Sequence, residues 1–385
     1  MRETFLPFSP PFIGEEEIAE VVDSLRSGWI TTGPKTKRFE QAFAEYLGAP
    51  AALGLSSCTA GLHTALEVAG IGPGDEVITT PMTFTATVAV VEHVGARPVL
   101  VDVEPDTLNI DPALVRAAVS GRTRAVIAVH YGGHPCELDE LRAICAEHDL
   151  LLVEDAAHAI PARYKGAFIG SGDNPVAFSF YATKNLTTAE GGMLTGDPQM
   201  IDKAIVTSLH GMDRDAWKRN DRTGSWRYDI ITPGFKYNMT DIQAAMGLRQ
   251  LEKLAAMHAR RRELVALYNE GFAGTDAFDL PVERDEVDHA WHLYPLRIRE
   301  GALSITRDEM IEELRARNIG TSVHFIPVHT FTYYREKYGY VPEDFPVAWR
   351  ESERLISLPL HPGLSDGDLG DVVGAVLDVL SAHGS

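Results

Sequence analysis

Up to about residue 240, short apolar runs alternate with stretches of helical period. Residues 51–55 (AALGL) read as a strand. Beyond Ser56 and Ser57 the apolar positions Leu62, Ala65, Leu66 and Ala69 mark one face of a helix. GPGDE is a turn, Val77 to Thr80 is the next strand, stopped by Pro81, and a helix from about Thr83 ends near Gly95. Pro98 to Val103 returns to strand, and Asp111-Pro112 places an N-cap before a proline at the first helical position. Strand 125–129 (AVIAV), helix 138–148 and strand 150–154 (LLLVE) follow. Buried, β-branched strands separated by helices predict a mostly parallel sheet between helices.

Near Thr240 the pattern changes. Thr240 and Gln243 have the spacing of a capping box, and a long helical stretch continues to Gly271. Within it Arg260, Arg261 and Arg262 are expected on a solvated face. Strands near 291–298 and 321–326 and a helix near 307–317 complete the chain. The expected architecture is a large α/β domain over residues 1–250 and a smaller α+β domain over 251–385, without internal repeats.

The balance of 35 Lys and Arg against 55 Asp and Glu leaves a formal net charge of -20, which argues against nucleic acid and against anionic membrane surfaces as partners. Apolar runs such as 86–91 and 150–153 are too short to span a bilayer. The opening MRETFLPFSPPF has charge and prolines where a signal peptide needs an apolar core. Cys58, Cys136 and Cys145 show neither CxxC spacing nor an even framework. A reduced, cytoplasmic chain is the expectation. His130 and His134 stand four apart, but Tyr131-Gly132-Gly133 between them is poor helix material, so no metal site is expected.

Four segments carry candidate chemistry. Val153-Glu154-Asp155-Ala156-Ala157-His158 closes a buried strand at the end that faces the ligand crevice in open α/β sheets. Taken alone, Asp155 reads equally as a cap for the next segment. Ser179-Phe180-Tyr181-Ala182-Thr183-Lys184-Asn185, followed by Ala189-Glu190-Gly191-Gly192, puts a lysine where burial and neighbours can lower an amine's pKa and let it form a Schiff base, although by itself a lysine at a strand end is usually solvated. Ser56-Ser57-Cys58-Thr59-Ala60-Gly61 sets small residues at a strand-to-helix turn, where backbone N–H groups approach a phosphate. It matches neither GxGxxG nor a P-loop. Phe84, in Pro81-Met82-Thr83-Phe84, reads by itself as a core aromatic.

Together these residues resemble the DegT/DnrJ/EryC1 family, fold-type-I pyridoxal-phosphate (PLP) aminotransferases that act on nucleotide sugars. The resemblance runs from Ser27-Gly28-Trp29-Ile30-Thr31-Thr32-Gly33-Pro34 to Ser357-Leu358-Pro359-Leu360. EDAAHA, SFYATKN with AEGG, and the stretch Pro233 to Ile242 (PGFKYNMTDI) are its most specific parts. The last, with FLPFSPP and SGWITTGPK, is most similar to the branch that makes UDP-4-amino-4-deoxy-L-arabinose.

The resemblance implies that Lys184 carries PLP as a Schiff base, with pyridoxamine phosphate as the intermediate. It implies that Asp155 pairs with the pyridine nitrogen, that His158 lies near the phenolic oxygen and that Phe84 stacks on the ring. Thr59, Ala60 and Ser179 match phosphate contacts, and Asn238 matches one supplied across a homodimer with shared active sites. Trp29, Thr31, Lys236 and His329 match the substrate end. Lys35, Lys37, Arg222 and Arg227 are further candidate cations for the diphosphate. The implied reaction is ping-pong transfer of an amino group from glutamate, released as 2-oxoglutarate, to a UDP- or dTDP-linked 4-keto sugar. A 3-aminotransferase and a sugar dehydratase share the scaffold, but dehydratases carry histidine at the Lys184 position or add cluster-binding cysteines. A non-enzymatic regulator would be marked by loss of Lys184 or Asp155.

Overall fold

The computed structural model describes residues 2–213 and 228–384. Arg222 and Arg227 lie outside the described residues. The chain runs α1 (Glu15–Ser27), α2 (Pro34–Leu47), β1 (Ala52–Leu55), α3 (Cys58–Val68), β2 (Glu76–Thr79), α4 (Thr85–His93), β3 (Arg97–Leu100), α5 (Pro112–Ala118), β4 (Thr123–Val129), α6 (Leu138–His148) and β5 (Leu151–Asp155). Then come β6 (Arg163–Tyr164), β7 (Ala167–Phe168), β8 (Val176–Ser179), β9 (Gly192–Thr195), α7 (Pro198–Thr207) and the 32-residue α8 (Asp241–Phe272). The C-terminal part adds β10 (Phe278–Asp279), β11 (Val287–Asp288), β12 (Tyr294–Ile298), α9 (Arg307–Ala316), α10 (Thr332–Tyr338), α11 (Pro346–Arg354), β13 (Leu355–Leu358) and α12 (Asp366–His383).

The central sheet has seven strands in the order β1-β9-β8-β5-β4-β2-β3, and only β9 runs antiparallel to its neighbours. Strands β2, β8 and β9 are buried along their whole length, as expected where helices cover both faces. Because β9 is antiparallel to both β1 and β8, those two strands point the same way. Leu55 and Ser179 therefore flank Gly192 from either side. The C-terminal ends of β1, β8 and β5 share one edge, and that edge carries the candidate chemistry.

Helix α8 joins two cores. Ala244, Leu248, Leu251, Leu254 and Met257 pack with the large-domain core, whereas Leu264, Val265, Tyr268 and Phe272 pack with β12, β13 and α12. A cut at residue 250 falls inside this helix. Leu6 packs with the C-terminal core, and β11 pairs back onto β6, so both ends of a linear division are crossed. The predicted strand at 321–326 is not regular; its ladder is a single bridge between Ser322 and Ser357.

The arginine triplet also departs from expectation. Arg260 and Arg262 pair with acidic groups at the surface, but Arg261 is 2% exposed. Successive helical residues are about 100° apart, so three in a row cannot share one face, and the middle one points inward.

Candidate active site

Asp155 ends β5 and is buried. Its Oδ2 accepts from the Thr87 hydroxyl at 2.8 Å and its Oδ1 accepts from the Ala157 N–H at 3.1 Å. Thr87 belongs to α4 and is itself held by Thr83 at 2.7 Å. The capping contact foreseen for Asp155 is thus present, and a second strand's helix orients the carboxylate as well. Ser179 ends the adjacent parallel strand β8, whose Ala177 lies opposite Asp155.

Lys184 sits in the loop that leaves β8. Phe180 N–H donates to Gly191 O and Thr188 N–H donates to Phe180 O, both at 2.9 Å, closing the loop's base. Lys184 N–H donates to Tyr181 O at 2.9 Å, closing a tight turn within that loop. Burial pushes the amine down from its ordinary 10.5 to about 8, only partly opposed by the nearby Asp155 carboxylate. Gly192 closes the loop because nothing larger fits: a Cβ there would lie 2.4 Å from the Ser57 carbonyl carbon.

Beside Gly192 the chain turns from β1 into α3. The Ser57 hydroxyl caps the helix, accepting from Ala60 N–H at 3.0 Å. Among the described residues nothing accepts the first-turn N–H groups of Cys58 and Thr59, which have no intrahelical partner. Phe84 is 63% exposed at the start of α4, so it is not the core aromatic its local pattern suggests.

His158, His292 and His324 all lie close enough to Lys184 to feel its charge. His158 is buried and its Nδ1 has no partner. Its ring lies 4.4 Å from that of His292 and stacks on Phe325 at 5.7 Å. Burial first, and then the positive charge of Lys184, holds His158 well below the ordinary imidazole range and His324 at about 4. His292 Nδ1 lies 3.2 Å from Asn185 Oδ1. The Asn185 amide group donates to Ile160 O and Ala290 O, so its oxygen is the acceptor and His292 Nδ1 carries the proton. Thr87, His292 and His324 were not singled out in the sequence. Asn185 was, as the neighbour of Lys184, and its side chain ties that loop to residue 290.

The remaining candidates divide. Trp29 and Thr31 lie in the exposed stretch before α2, and Lys236 is exposed. Asn238 donates to the Thr32 hydroxyl at 2.7 Å, and its backbone bridges Leu55 at the end of β1. His329 lies apart. It is fully buried, donates to Pro342 O at 3.2 Å and packs edge-on against Phe345 at 4.8 Å. In that segment the ring near Lys184 belongs to His324. Lys35 is buried on Glu20 and Asp23 at 2.7 and 2.8 Å, and Lys37 pairs with Glu40 at 2.8 Å, so neither is set aside for a ligand. His130 bonds Glu154 at 3.1 Å while His134 bonds Pro135 O at 2.7 Å; they share no partner.

The profile of the DegT/DnrJ/EryC1/StrS aminotransferase family matches residues 11–377. The chain is 52% identical over 384 residues to MJ1066, an uncharacterized protein of Methanocaldococcus jannaschii, covering all of both. It is 50% identical over 381 residues to the spore coat polysaccharide biosynthesis protein SpsC of Bacillus subtilis, covering 98% of each. Among solved structures, Spr1654 of Streptococcus pneumoniae, described as a sugar aminotransferase and solved in a pyridoxamine-phosphate form, superposes with a TM-score of 0.92. It is 39% identical, with 98% of this chain and 99% of that one covered. The chain belongs to the DegT/DnrJ/EryC1/StrS aminotransferase family.

Proposed function

We propose that this member of the DegT/DnrJ/EryC1/StrS aminotransferases holds PLP through Lys184 and moves an amino group from glutamate to a nucleotide-linked 4-keto sugar. The observation that carries the reading is the strand-end edge where the Lys184 loop, Asp155, Ser179 and the open first turn of α3 come together around Gly192. Spr1654 is known in PLP and pyridoxamine-phosphate forms, and SpsC serves polysaccharide biosynthesis, which supports the same chemistry and substrate class here.

The residues present fit the cofactor. The unpartnered Nδ1 of His158, the exposed Phe84 ring and the open N–H groups of Cys58 and Thr59 each offer what a phenolic oxygen, a pyridine face and a phosphate need. Thr59, Ala60 and Ser179 would surround the phosphate, with Asn238 reaching it from the partner in a homodimer. When bound, PLP supplies an electron sink for the carbon that loses or gains the amino group. Asp155, oriented by Thr87 and Ala157 N–H, would accept the hydrogen bond from a proton on the ring nitrogen. Lys184, neutral in an appreciable fraction near pH 8, would carry the proton between the substrate carbon and the cofactor carbon bonded to the same nitrogen. Trp29, Thr31 and Lys236 lie on exposed surface suited to the sugar nucleotide, and His324 takes the substrate-side place expected of His329. The protein works in the cytoplasm, where nucleotide sugars are made.

The test is to incubate enzyme and glutamate with UDP- and dTDP-4-keto sugars and measure 2-oxoglutarate against 3-keto and unlinked controls. The expected ranking is 4-keto first, with unlinked sugars far slower, because remote binding energy positions the reacting carbon. Faster amination of a 3-keto isomer overturns the C-4 assignment; equal rates on unlinked sugars overturn the nucleotide-sugar reading.

A further inference from the structure

Arg261 is a buried guanidinium with no carboxylate partner among the described residues. One terminal nitrogen donates to Trp291 O at 3.1 Å, to Leu360 O at 2.8 Å and, more weakly, to His292 O at 3.5 Å; its Nε is buried and unpartnered. Removing a charge from water costs several kcal/mol unless strong partners compensate, and carbonyl dipoles compensate only in part. A well-packed apolar side chain at this point of α8 would serve the core better. The three carbonyls explain the arginine: two belong to the segment that delivers His292, and the third, of Leu360, lies just after β13.

His292 sits one step from the cofactor-facing groups. Its ring lies 4.4 Å from His158, and its Nδ1–H is donated to Asn185, the residue after Lys184. Asn185 in turn binds Ala290 O at 2.8 Å, so residues 290–292 are gripped from the loop of Lys184 on one side and from α8 on the other. We propose that Arg261 is a positioning residue: by holding the carbonyls of Trp291 and His292 it sets the His292 ring against His158 and Asn185, and so sets the two groups that flank Lys184. The charged or titratable groups facing His292 are His158, Lys184, Arg261 and His324, all cationic when charged. Burial first and these neighbours second hold His292 well below the ordinary imidazole range, and Arg261 is itself depressed to about 9 by burial. A neutral His292 keeps its remaining ring nitrogen as an acceptor, and the pair with His158 stays free of like-charge repulsion.

The inference rests on the proposed cofactor only for one of its two readouts. The variants are Arg261→Met, Arg261→Lys and His292→Phe, with the Arg261→Met/His292→Phe double variant. In holoenzyme, the pH midpoint of the cofactor's visible absorbance change and the steady-state kinetics are measured. Arg261→Met and His292→Phe are expected to move that midpoint in the same direction and to lower kcat about tenfold with KM little changed. The double variant should add little, as for residues sharing one network. Arg261→Lys should restore part of the midpoint. In cofactor-free protein, NMR titration of the histidine rings should show the His292 resonance, identified by its loss in His292→Phe, titrating at higher pH in Arg261→Met. A purely structural role would lower Tm in Arg261→Met and leave both midpoints in place, which overturns the proposal; additive effects in the double variant do the same. If Arg261→Met does not fold, His292→Phe decides: a folded variant with the wild-type absorbance midpoint overturns the proposal. If wild-type protein shows no cofactor absorbance, the functional reading fails, and the NMR arm alone judges Arg261.

Discussion

Helices α2 and α3 both begin with small residues in a tight turn, and both point a cluster of free N–H groups out of their first turn. Their fates differ. At α2 the carboxylate of Asp241 fills the cluster, accepting from Gly33 N–H at 2.8 Å, Lys35 N–H at 3.0 Å, Thr36 N–H at 2.9 Å and the Thr36 hydroxyl at 2.7 Å. Asp241 opens α8, so the bond also joins the SGWITTGPK and PGFKYNMTDI segments. Helix α11 is closed in the same way, with Asp102 accepting from Val347 and Ala348 N–H at 2.8 and 2.9 Å. At α3 the described residues supply only the Ser57 hydroxyl, and among them nothing accepts from the N–H groups of Cys58 and Thr59. A helix start becomes a ligand site when the protein withholds its own anion and sets chemistry around the gap.

The largest effect expected from breaking the open end is at Lys184. Lys184→Ala should lose transamination while still binding PLP, because the phosphate turn at α3 remains; substantial turnover by that variant would remove the central assignment. In cofactor-free wild type, labelling of Lys184 by an amine-directed reagent should reach half its maximal rate near pH 8. An amine titrating at about 8 is roughly one-tenth neutral at pH 7, against well under one part in a thousand for an ordinary lysine. A half-maximal pH above 10 would show that burial does not depress this amine. Asp155→Asn keeps the shape but removes the anion, and kcat should fall about a hundredfold, as for other charges placed against a developing carbanion. A fall of only a few-fold would mean that another group serves the ring nitrogen.

The open end was legible in the sequence because each of its parts is local. Asp155 and Ser179 end short, largely buried strands and Ser56 follows another, and parallel strands put such ends on one edge, so a linear reading already gathers them. Gly192 is conspicuous in AEGG for a reason that appears only in three dimensions, the approach of Ser57 to within contact of its Cα hydrogens. What the sequence hid is set by long-range geometry. Asp241 reads as an ordinary first-turn acid of α8, although it closes α2 some two hundred residues earlier. Lys35 follows a TTGP turn as a phosphate-binding lysine could, yet α1 captures it with Glu20 and Asp23. Arg261 lies in a triplet whose helical phase is hidden in a helix that changes its burying face between Met257 and Leu264. His292 and His324 come from segments with little regular structure, where neither period nor capping marks which ring faces inward.

At the closed end the prediction concerns stability. Asp241→Ala leaves three N–H groups and a hydroxyl without their acceptor, and a loss of roughly 2–4 kcal/mol is expected from unsatisfied buried donors and the forfeited helix-end charge. Urea denaturation checks it through the shift in midpoint at constant slope. PLP affinity in the folded variant should change far less than stability does. Equal loss of both would show that the α2 turn and the α3 turn are one cooperative unit rather than two separately closed ends.

The smallest effect, and the sharpest test of the contrast, is expected at Ser57. Its hydroxyl satisfies only Ala60 N–H, the third donor of α3, so Ser57→Ala costs the usual worth of an N-cap, about 1 kcal/mol. In the cofactor-free protein that cost should appear in full. In the holoenzyme a bound phosphate can accept from the freed Ala60 N–H as well as from Cys58 and Thr59, so part of the loss should be recovered. The denaturation midpoint of Ser57→Ala should therefore lie closer to wild type with PLP than without it. For Asp241→Ala the gap should be the same in both states, since PLP is proposed to dock at α3 and the α2 turn is closed by Asp241 itself. If PLP narrows the gap for both variants equally, the cofactor stabilises the whole large domain without regard to which helix end is open. If it narrows the gap for Ser57→Ala alone, the phosphate sits where the chain left its N–H groups unfilled.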